Sequence, residues 1–427
     1  MSSFNQTPQG ERVHIALFGR RNVGKSSLIN VLTGQEVSIV SDVKGTTTDP
    51  VYKAMELLPL GPIMIIDTPG LDDEGALGSL RMQRARDVLN KTDIALLVTE
   101  AEFGLGACEL EILALVRAKS IPLLVVYNKS DCGAPSEASM KQASELAQGP
   151  VYAVSSVTKD GVEELKLALA KIVPEEADKF QIVGDLLSPS DLVVLVTPID
   201  KAAPKGRLIL PQQQVIRDIL EADAIAVVTK EFELRETLSN LGKKPRLVIT
   251  DSQVFAKVSA DTPRDVPLTS FSILFARYKG DLDTLVRGAT AAETLKDGDC
   301  ILVAEGCTHH RQSDDIGTVK LPRWLRQHTG KKLVFEHASG MKYPKDLSRY
   351  ALIIHCGACM LNRREMHYRI QQAKTAGVAI VNYGVLIAHM QGILARCLEP
   401  FSLAAMAAAS LDHEPRGGGR QMQGECS

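Results

Sequence analysis

The apolar run Val13-His14-Ile15-Ala16-Leu17-Phe18 breaks into Gly19-Arg20-Arg21-Asn22-Val23-Gly24-Lys25-Ser26, and a helical pattern follows from Ser27 to about Leu32. No other stretch narrows the possible folds as far. In a G-x-x-x-x-G-K-S octet the glycines let backbone N–H groups curl around phosphate at a helix N-terminus. The octet takes that shape only with a strand before it and a helix after it, which is one unit of an α/β layer. On this pattern Gly19, Val23, Gly24, Lys25, Ser26 and Ser27 cradle the phosphates. Lys25 reaches the outer oxygens and the Ser26 hydroxyl takes Mg²⁺.

Three further motifs follow in order. Ile63-Met64-Ile65-Ile66 ends in Asp67-Thr68-Pro69-Gly70, which puts the Asp67 acid beside the metal and the Gly70 amide near the last phosphate. Leu123-Leu124-Val125-Val126-Tyr127 ends in Asn128-Lys129-Ser130-Asp131. That N-K-x-D reads guanine, because the Asp131 carboxylate accepts from both N1–H and N2–H, a donor pair that adenine lacks. Val151-Tyr152-Ala153-Val154 leads to Ser155-Ser156, expected to touch the base from its other side. The ligand expected is GTP or GDP with Mg²⁺, and not ATP.

In this order the motifs resemble the translation-factor-related small GTPases, and within them the bacterial tRNA-modification and ribosome-assembly (TrmE-Era-like) type, over about residues 12 to 173. Lys44-Gly45-Thr46-Thr47-Thr48-Asp49-Pro50 resembles the G-T-T-x-D-P of that subfamily. The resemblance implies that Thr47 or Thr48 closes onto Mg²⁺, with a solvated threonine loop as the competing reading. Leu71 stands where Ras-like enzymes place a water-orienting glutamine. Leucine neither donates nor accepts a hydrogen bond, so GTP hydrolysis is expected to be slow unless another group helps. Asn22 matches the asparagine that helps hold K⁺ against the phosphates in some members; an asparagine that only shapes the loop is the alternative.

At 427 residues the chain is too long for one core, and roughly two to four domains are expected. A net charge of −2 and 4% aromatic residues argue against a nucleic-acid partner, which calls for a basic excess or stacking platforms. The first residues are polar and lack a signal-peptide pattern. No apolar run approaches the roughly 18–20 residues that span a bilayer. A cytoplasmic protein with no membrane partner is expected. In that reducing compartment the eight cysteines suit metal ligation, reactive thiols or core filling better than disulfides.

The chain is expected to be α/β throughout: a flexible start (1–11), a P-loop GTPase domain (12–173), two smaller α/β domains with mostly parallel sheets (174–265 and 266–409), and a loose tail (410–427). Breaks fall at Val173-Pro174-Glu175-Glu176 and near Pro263 to Pro267, and a helical apolar stripe is expected from Phe271 to Arg287. Two apolar runs in the last domain end in ligand chemistry. Cys300 to Ala304 leads to Cys307-Thr308-His309, and Tyr350 to Ile354 leads to His355-Cys356-Gly357-Ala358-Cys359. Ligands collect beyond the carboxyl ends of parallel strands, so the two loops are expected to converge. A C-x-x-C alone also marks redox pairs. With Cys307 and a histidine (His309 or His355) it makes a tetrahedral zinc set, and three cysteines with a fourth donor suit an iron–sulfur cluster equally. Glu305 is an outside candidate for that donor, whereas His367 and His389 read as ordinary helix residues.

A G domain followed by C-x-H…H-C-x-x-C resembles the GTPase maturase of iron-only (FeFe) hydrogenases, the HydF type. Thr197 to Leu208 and Pro267-Leu268-Thr269-Ser270-Phe271-Ser272-Ile273 look like that family's central segments. The resemblance implies a homodimer whose 174–265 domain dimerises and whose last domain binds a 4Fe-4S cluster through Cys307, Cys356 and Cys359, with His309 and His355 as weaker candidates. It also implies a scaffold that takes a di-iron precursor from two radical-SAM maturases to apo FeFe-hydrogenase. The alternative is an RNA- or ribosome-directed GTPase with structural zinc in its last domain.

Overall fold

The computed structural model describes residues 7–34, 49–71, 75–172, 181–198, 208–306, 315–340 and 343–401. The chain divides into two compact units, Met1–Lys179 and Phe180–Ser427.

The first unit holds β1 (Val13–Phe18), β2 (Val51–Leu57), β3 (Gly61–Asp67), β4 (Ile94–Glu100), β5 (Leu123–Asn128) and β6 (Val151–Ala153). They form one sheet in the order β2-β3-β1-β4-β5-β6. Only the β2–β3 pair is antiparallel. Strands β1, β4 and β5 are buried on both faces, as expected of parallel strands covered by helices on each side, and this is why they read as unbroken apolar runs. The helix Lys25–Thr33 follows β1 directly through the glycine octet.

The second unit holds two four-stranded sheets, both wholly parallel. β7 (Leu192–Val196), β8 (Ile225–Thr229), β9 (Leu247–Thr250) and β10 (Leu268–Ser270) are ordered β10-β9-β7-β8. β11 (Cys300–Glu305), β12 (Val334–Ser339), β13 (Leu352–His355) and β14 (Ala379–Asn382) are ordered β12-β11-β13-β14. Residues from both sheets share one continuous apolar core. Strand β10 lies past the break expected at Pro263 to Pro267 and still pairs with β9. The single stripe expected from Phe271 to Arg287 is two helices, Phe271–Lys279 and Leu282–Ala289. Gly280 ends the first, and the Asp281 carboxylate accepts from Thr284 N–H to start the second. Glycine and an N-capping aspartate together outweigh the continued apolar spacing.

One polar cluster is sealed inside the second sheet layer. Arg369, on the helix Arg363–Thr375, is 1% exposed on its side chain. It donates to Glu365 Oε1 (2.9 Å), to the Gly340 carbonyl (2.8 Å) and to His355 Nε2 (3.1 Å). Guanidinium has no acceptor, so His355 Nε2 must accept, and its Nδ1–H donates to the Cys356 carbonyl at 2.9 Å. Burial first, and then the Arg369 charge, push the imidazole down to about 3, so His355 is neutral at ordinary pH.

Removing one partner of a buried charge network strands the others, whereas an exposed pair on one helix contributes little. Arg369→Met is therefore expected to cost about 3–5 kcal/mol. Arg217→Met, which breaks the exposed Arg217–Glu221 pair (80% and 59% exposed side chains), is expected to cost less than about 1 kcal/mol. Urea unfolding followed by emission of Trp324, the single tryptophan, packed against the second unit's core, measures both. Equal shifts would refute the difference.

Candidate functional site

The nucleotide motifs meet at the carboxyl ends of β1, β3 and β5. Gly24 has φ +82°, and a side chain there would collide with Asn128 Nδ2. That amide donates to the Val23 carbonyl at 2.9 Å, tying the N-K-x-D loop to the glycine octet. Asn22 also sits at positive φ (62°). Lys25 Nζ donates to the carbonyls of Gly19 (2.8 Å) and Arg20 (2.6 Å). A Cβ on Gly70 would stand 2.7 Å from Arg21 N, so the D-T-P-G turn is held against the same loop.

The two expected Mg²⁺ ligands already touch, with Ser26 Oγ donating to Asp67 Oδ2 at 2.8 Å. Burial raises the Asp67 carboxyl above its ordinary range, opposed by the Ser26 bond and by Lys25 and Lys53. Its other oxygen, Oδ1, is buried with no hydrogen-bond partner among the described residues. A buried carboxylate oxygen left without a donor fits a divalent cation, since Mg²⁺ favours hard oxygen ligands.

On the base side the two serines bond the side chains of the N-K-x-D motif. Ser155 Oγ donates to Asp131 Oδ1 at 2.6 Å, and Ser156 Oγ donates to Asn128 Oδ1 at 2.9 Å. Both orient the residues expected to read guanine. The Ser155 bond is the main reason Asp131 lies below the usual carboxylate range, which keeps it an acceptor. Lys129 pairs with Glu100 at 2.7 Å, and Leu71 is packed into the apolar core. Thr47 and Thr48 lie outside the described residues.

The thiol chemistry belongs to the second unit. β11 and β13 are adjacent and parallel, with Ala304 opposite His355 and the Cys356 N–H donating to the Ala304 carbonyl at 3.0 Å. Their carboxyl ends therefore lie side by side. Gly306 N–H donates to Cys356 Sγ at 3.1 Å and Ala358 N–H to the same sulfur at 3.4 Å. Ala358 takes φ +55° to do so. Burial raises the Cys356 thiol, opposed by these two amides. Backbone N–H groups on a partly buried thiol are the surroundings that iron–sulfur thiolates favour, so the described residues fit such a group. Cys307 and His309 lie outside the described residues.

His355, the other histidine candidate, is turned away from this chemistry. It is fully buried, with both ring nitrogens engaged by Arg369 and the Cys356 carbonyl. No lone pair remains for a metal, so its role is to hold the loop. Sequence reasoning missed two residues that do the same. Lys279, 1% exposed, donates to the carbonyls of Leu361 (2.8 Å) and Cys359 (3.2 Å). Asn382 accepts from Ser272 Oγ at 2.8 Å and caps the helix Tyr383–Met390. A lysine in an apolar helical stripe was the only signal for the first; nothing marked the second. Glu305 is 4% exposed at the tip of β11, where Tyr383 OH donates to it at 3.4 Å. Cys397 is a core residue, its thiol pushed up to about 12 by burial.

Three family models match consecutive stretches of the chain. A 50S ribosome-binding GTPase model matches residues 14–129, a hydrogen maturase F dimerization domain 182–280, and a hydrogen maturase F tetramerization domain 283–400. Among curated proteins, the tRNA modification GTPase MnmE of Chromobacterium violaceum is 33% identical over 164 residues, 38% of this chain and 35% of that one. The GTPase Der of Xanthomonas campestris is 30% identical over 222 residues, 50% of this chain and 46% of that one. The chain thus spans about a third to a half of the length of these relatives. Among solved structures, Aquifex aeolicus Era bound to GDP and AlF4⁻ matches 54% of this chain and 98% of that one at 20% identity, with a TM-score of 0.33. With two hydrogen maturase F models running almost end to end from 182 to 400 behind a MnmE- and Der-like P-loop GTPase domain, the chain belongs to the hydrogen maturase F family.

Proposed function

We propose that this chain is a GTPase scaffold and carrier of hydrogenase maturation: it binds a 4Fe-4S cluster, receives a di-iron precursor from two radical-SAM maturases, and delivers it to apo FeFe-hydrogenase. The observation that supports this best is the Gly306 N–H on Cys356 Sγ at the paired tips of β11 and β13, inside a stretch matched by the hydrogen maturase F models. Cys356, Cys359 and Cys307, which follows Gly306 directly in the chain, would hold the cluster. Glu305 or His309 would supply the fourth donor. When bound, such a centre supplies iron and bridging sulfide; the di-iron unit is cargo. The chain's own part is to hold the thiolates still. Arg369 fixes His355, His355 fixes the Cys356 carbonyl, and Lys279 fixes those of Cys359 and Leu361. An RNA-directed GTPase with structural zinc is not favoured, because residues 182–400 match maturase domains.

In the first unit GTP is the substrate. Lys25 would turn from the Gly19 and Arg20 carbonyls to the phosphates, while Ser26 and Asp67 hold Mg²⁺. Leu71 offers nothing to orient water, so turnover is slow, and K⁺ at Asn22 offsets part of the missing stabilisation. A second copy pairs along β8, the outer strand of the middle sheet, where Ile225 and Val228 are 49% and 45% exposed; an apolar open edge is a template for another chain.

Anaerobic reconstitution with iron and sulfide, followed by metal analysis and EPR, tests the cluster. Cys307→Ser, Cys356→Ser and Cys359→Ser should each lose most of the iron and sulfide and fail to activate hydrogenase, with GTP turnover unchanged. Colourless protein that keeps stoichiometric zinc and takes up no iron would end the proposal.

His355→Gln is expected to keep the cluster, since glutamine can accept from Arg369 and donate to the Cys356 carbonyl; loss of the EPR signal would make His355 a ligand. The same variant has a stability signature. Between the ordinary imidazole value near 6.5 and the buried value of about 3, the unfolded chain binds a proton that the folded one refuses. Stability therefore falls as pH falls through that window. The glutamine variant should show a shallower fall in acid unfolding, and an unchanged slope would contradict the buried neutral histidine.

Turnover of GTP is expected to be faster in K⁺ than in Na⁺, and Asn22→Ala should remove the difference. Equal rates in the parent protein would take Asn22 and K⁺ out of the mechanism.

A further inference from the structure

Away from the thiol loop, three ligand-type side chains from three separate elements converge. Glu293 lies in the short helical turn Thr290–Thr294, His328 in the last turn of the helix Leu321–Thr329, and His389 in the last turn of the helix Tyr383–Met390. Both imidazoles reach the same carboxylate oxygen, His328 Nε2 at 2.8 Å and His389 Nε2 at 3.0 Å from Glu293 Oε1. All three ligand atoms lie within 4.8 Å of one another, the one such group among the described residues. The histidine side chains are 26% and 22% exposed, so one side of the group faces solvent.

We propose that Glu293, His328 and His389 form a second metal site, which takes a divalent transition ion of the zinc class with water in its fourth position. Two imidazole nitrogens and a carboxylate oxygen, with an open position, are a zinc donor set. Ligand bonds of about 2.0–2.1 Å in a tetrahedron put donor atoms about 3.3 Å apart, a few tenths of an ångström wider than the distances seen. The placement also favours a cation electrostatically. Each histidine sits at a helix C-terminus, where the carbonyls and the helix dipole present negative charge, and the third ligand is an acid. Bound there, the ion ties together the far ends of two helices. One of them begins at Tyr383, which donates to Glu305 beside the thiol loop.

The site is independent of the cluster proposal, and the test separates the two. Full-length chain carrying Cys307→Ser, Cys356→Ser and Cys359→Ser is titrated with Zn²⁺ alone in competition with a chromophoric chelator. One Zn²⁺ per chain should still bind. Losing even an outer-shell partner weakens a site by about 10–100-fold, so His389→Ala, His328→Ala or Glu293→Gln in that background should weaken binding by at least about tenfold. Trp324 stands four residues before His328 on the same helix face. Co²⁺ should therefore quench its emission in the thiol-free chain, and His389→Ala in that background should abolish the quenching while leaving the emission spectrum without metal unchanged. Absence of Zn²⁺ binding in the thiol-free chain, or Co²⁺ quenching that survives His389→Ala, overturns the site.

Discussion

The parallel pairing of β11 with β13 is the constraint on which the second unit's chemistry depends. Registering Ala304 against His355 brings the ends of two strands, some fifty residues apart in sequence, to one edge. Gly306, which leaves the first end, is thereby set against Cys356, which leaves the second. The cost of closing so long a connection grows only slowly with its length, and it is offset by two apolar strands buried on both faces. What remains is to fix the loop after β13, which has no regular structure of its own. The fold does this from beneath, with Arg369 acting on His355 and Lys279 acting on the carbonyls of Cys359 and Leu361. These are buried cations that donate only. Lys279 directly, and Arg369 through His355, take up the loop's carbonyls, while the Ala358 N–H of that loop and the Gly306 N–H at the end of β11 face sulfur.

The first unit solves the same problem with a different donor set. Its phosphate loop leaves the carboxyl end of a central strand, flanked by β3 and β4, and the other motifs leave neighbouring carboxyl ends. Side chains there brace one another: Asn128 on Val23, Ser155 on Asp131, Ser26 on Asp67. The N-K-x-D loop and the glycine octet are thereby one connected piece, so a shift in either loop is felt by the other. Asp67 Oδ1, buried and without a hydrogen-bond partner among the described residues, is the atom of this group that fits a cation.

Contiguous motifs were legible in the sequence because their chemistry is local: a glycine octet, D-T-P-G, N-K-x-D and C-x-x-C each declare their donors within a few residues. The apolar runs also declared most strands, since parallel strands bury both faces. Strand β2, half exposed along its length, carried no such run. The helix break at Gly280 was hidden by a stripe that continues in phase across it. His355 looked like a ligand because it adjoins Cys356. Only the fold shows that it is the last residue of a doubly buried strand, facing an arginine fourteen positions later. Lys279, Asn382 and the Glu293–His328–His389 group are invisible for the same reason, as each is defined by residues that meet only in three dimensions.

The two parallel sheets of the second unit treat their edges unequally. In the middle sheet β10 is buried, whereas β8 pairs on one side only among the described residues and exposes Ile225 and Val228. In the last sheet the helix Leu282–Ala289 lies so close to β14 that a side chain at Gly288 would strike the Ile380 carbonyl. Strand β12 at the opposite edge pairs on one side only among the described residues and exposes Val334. A monomer that had to stay a monomer would blunt such edges with charge, proline or a covering helix. Among the described residues each sheet covers one edge and leaves the other unpaired, the β8 edge being apolar and the β12 edge mixed. The open edges fall one in the stretch matched by a dimerization model and one in that matched by a tetramerization model. Backbone N–H and C=O groups along β8 and β12 can each be satisfied by a strand of another copy, which would continue both sheets without disturbing the thiol loop, because that loop leaves β13 in the sheet's interior.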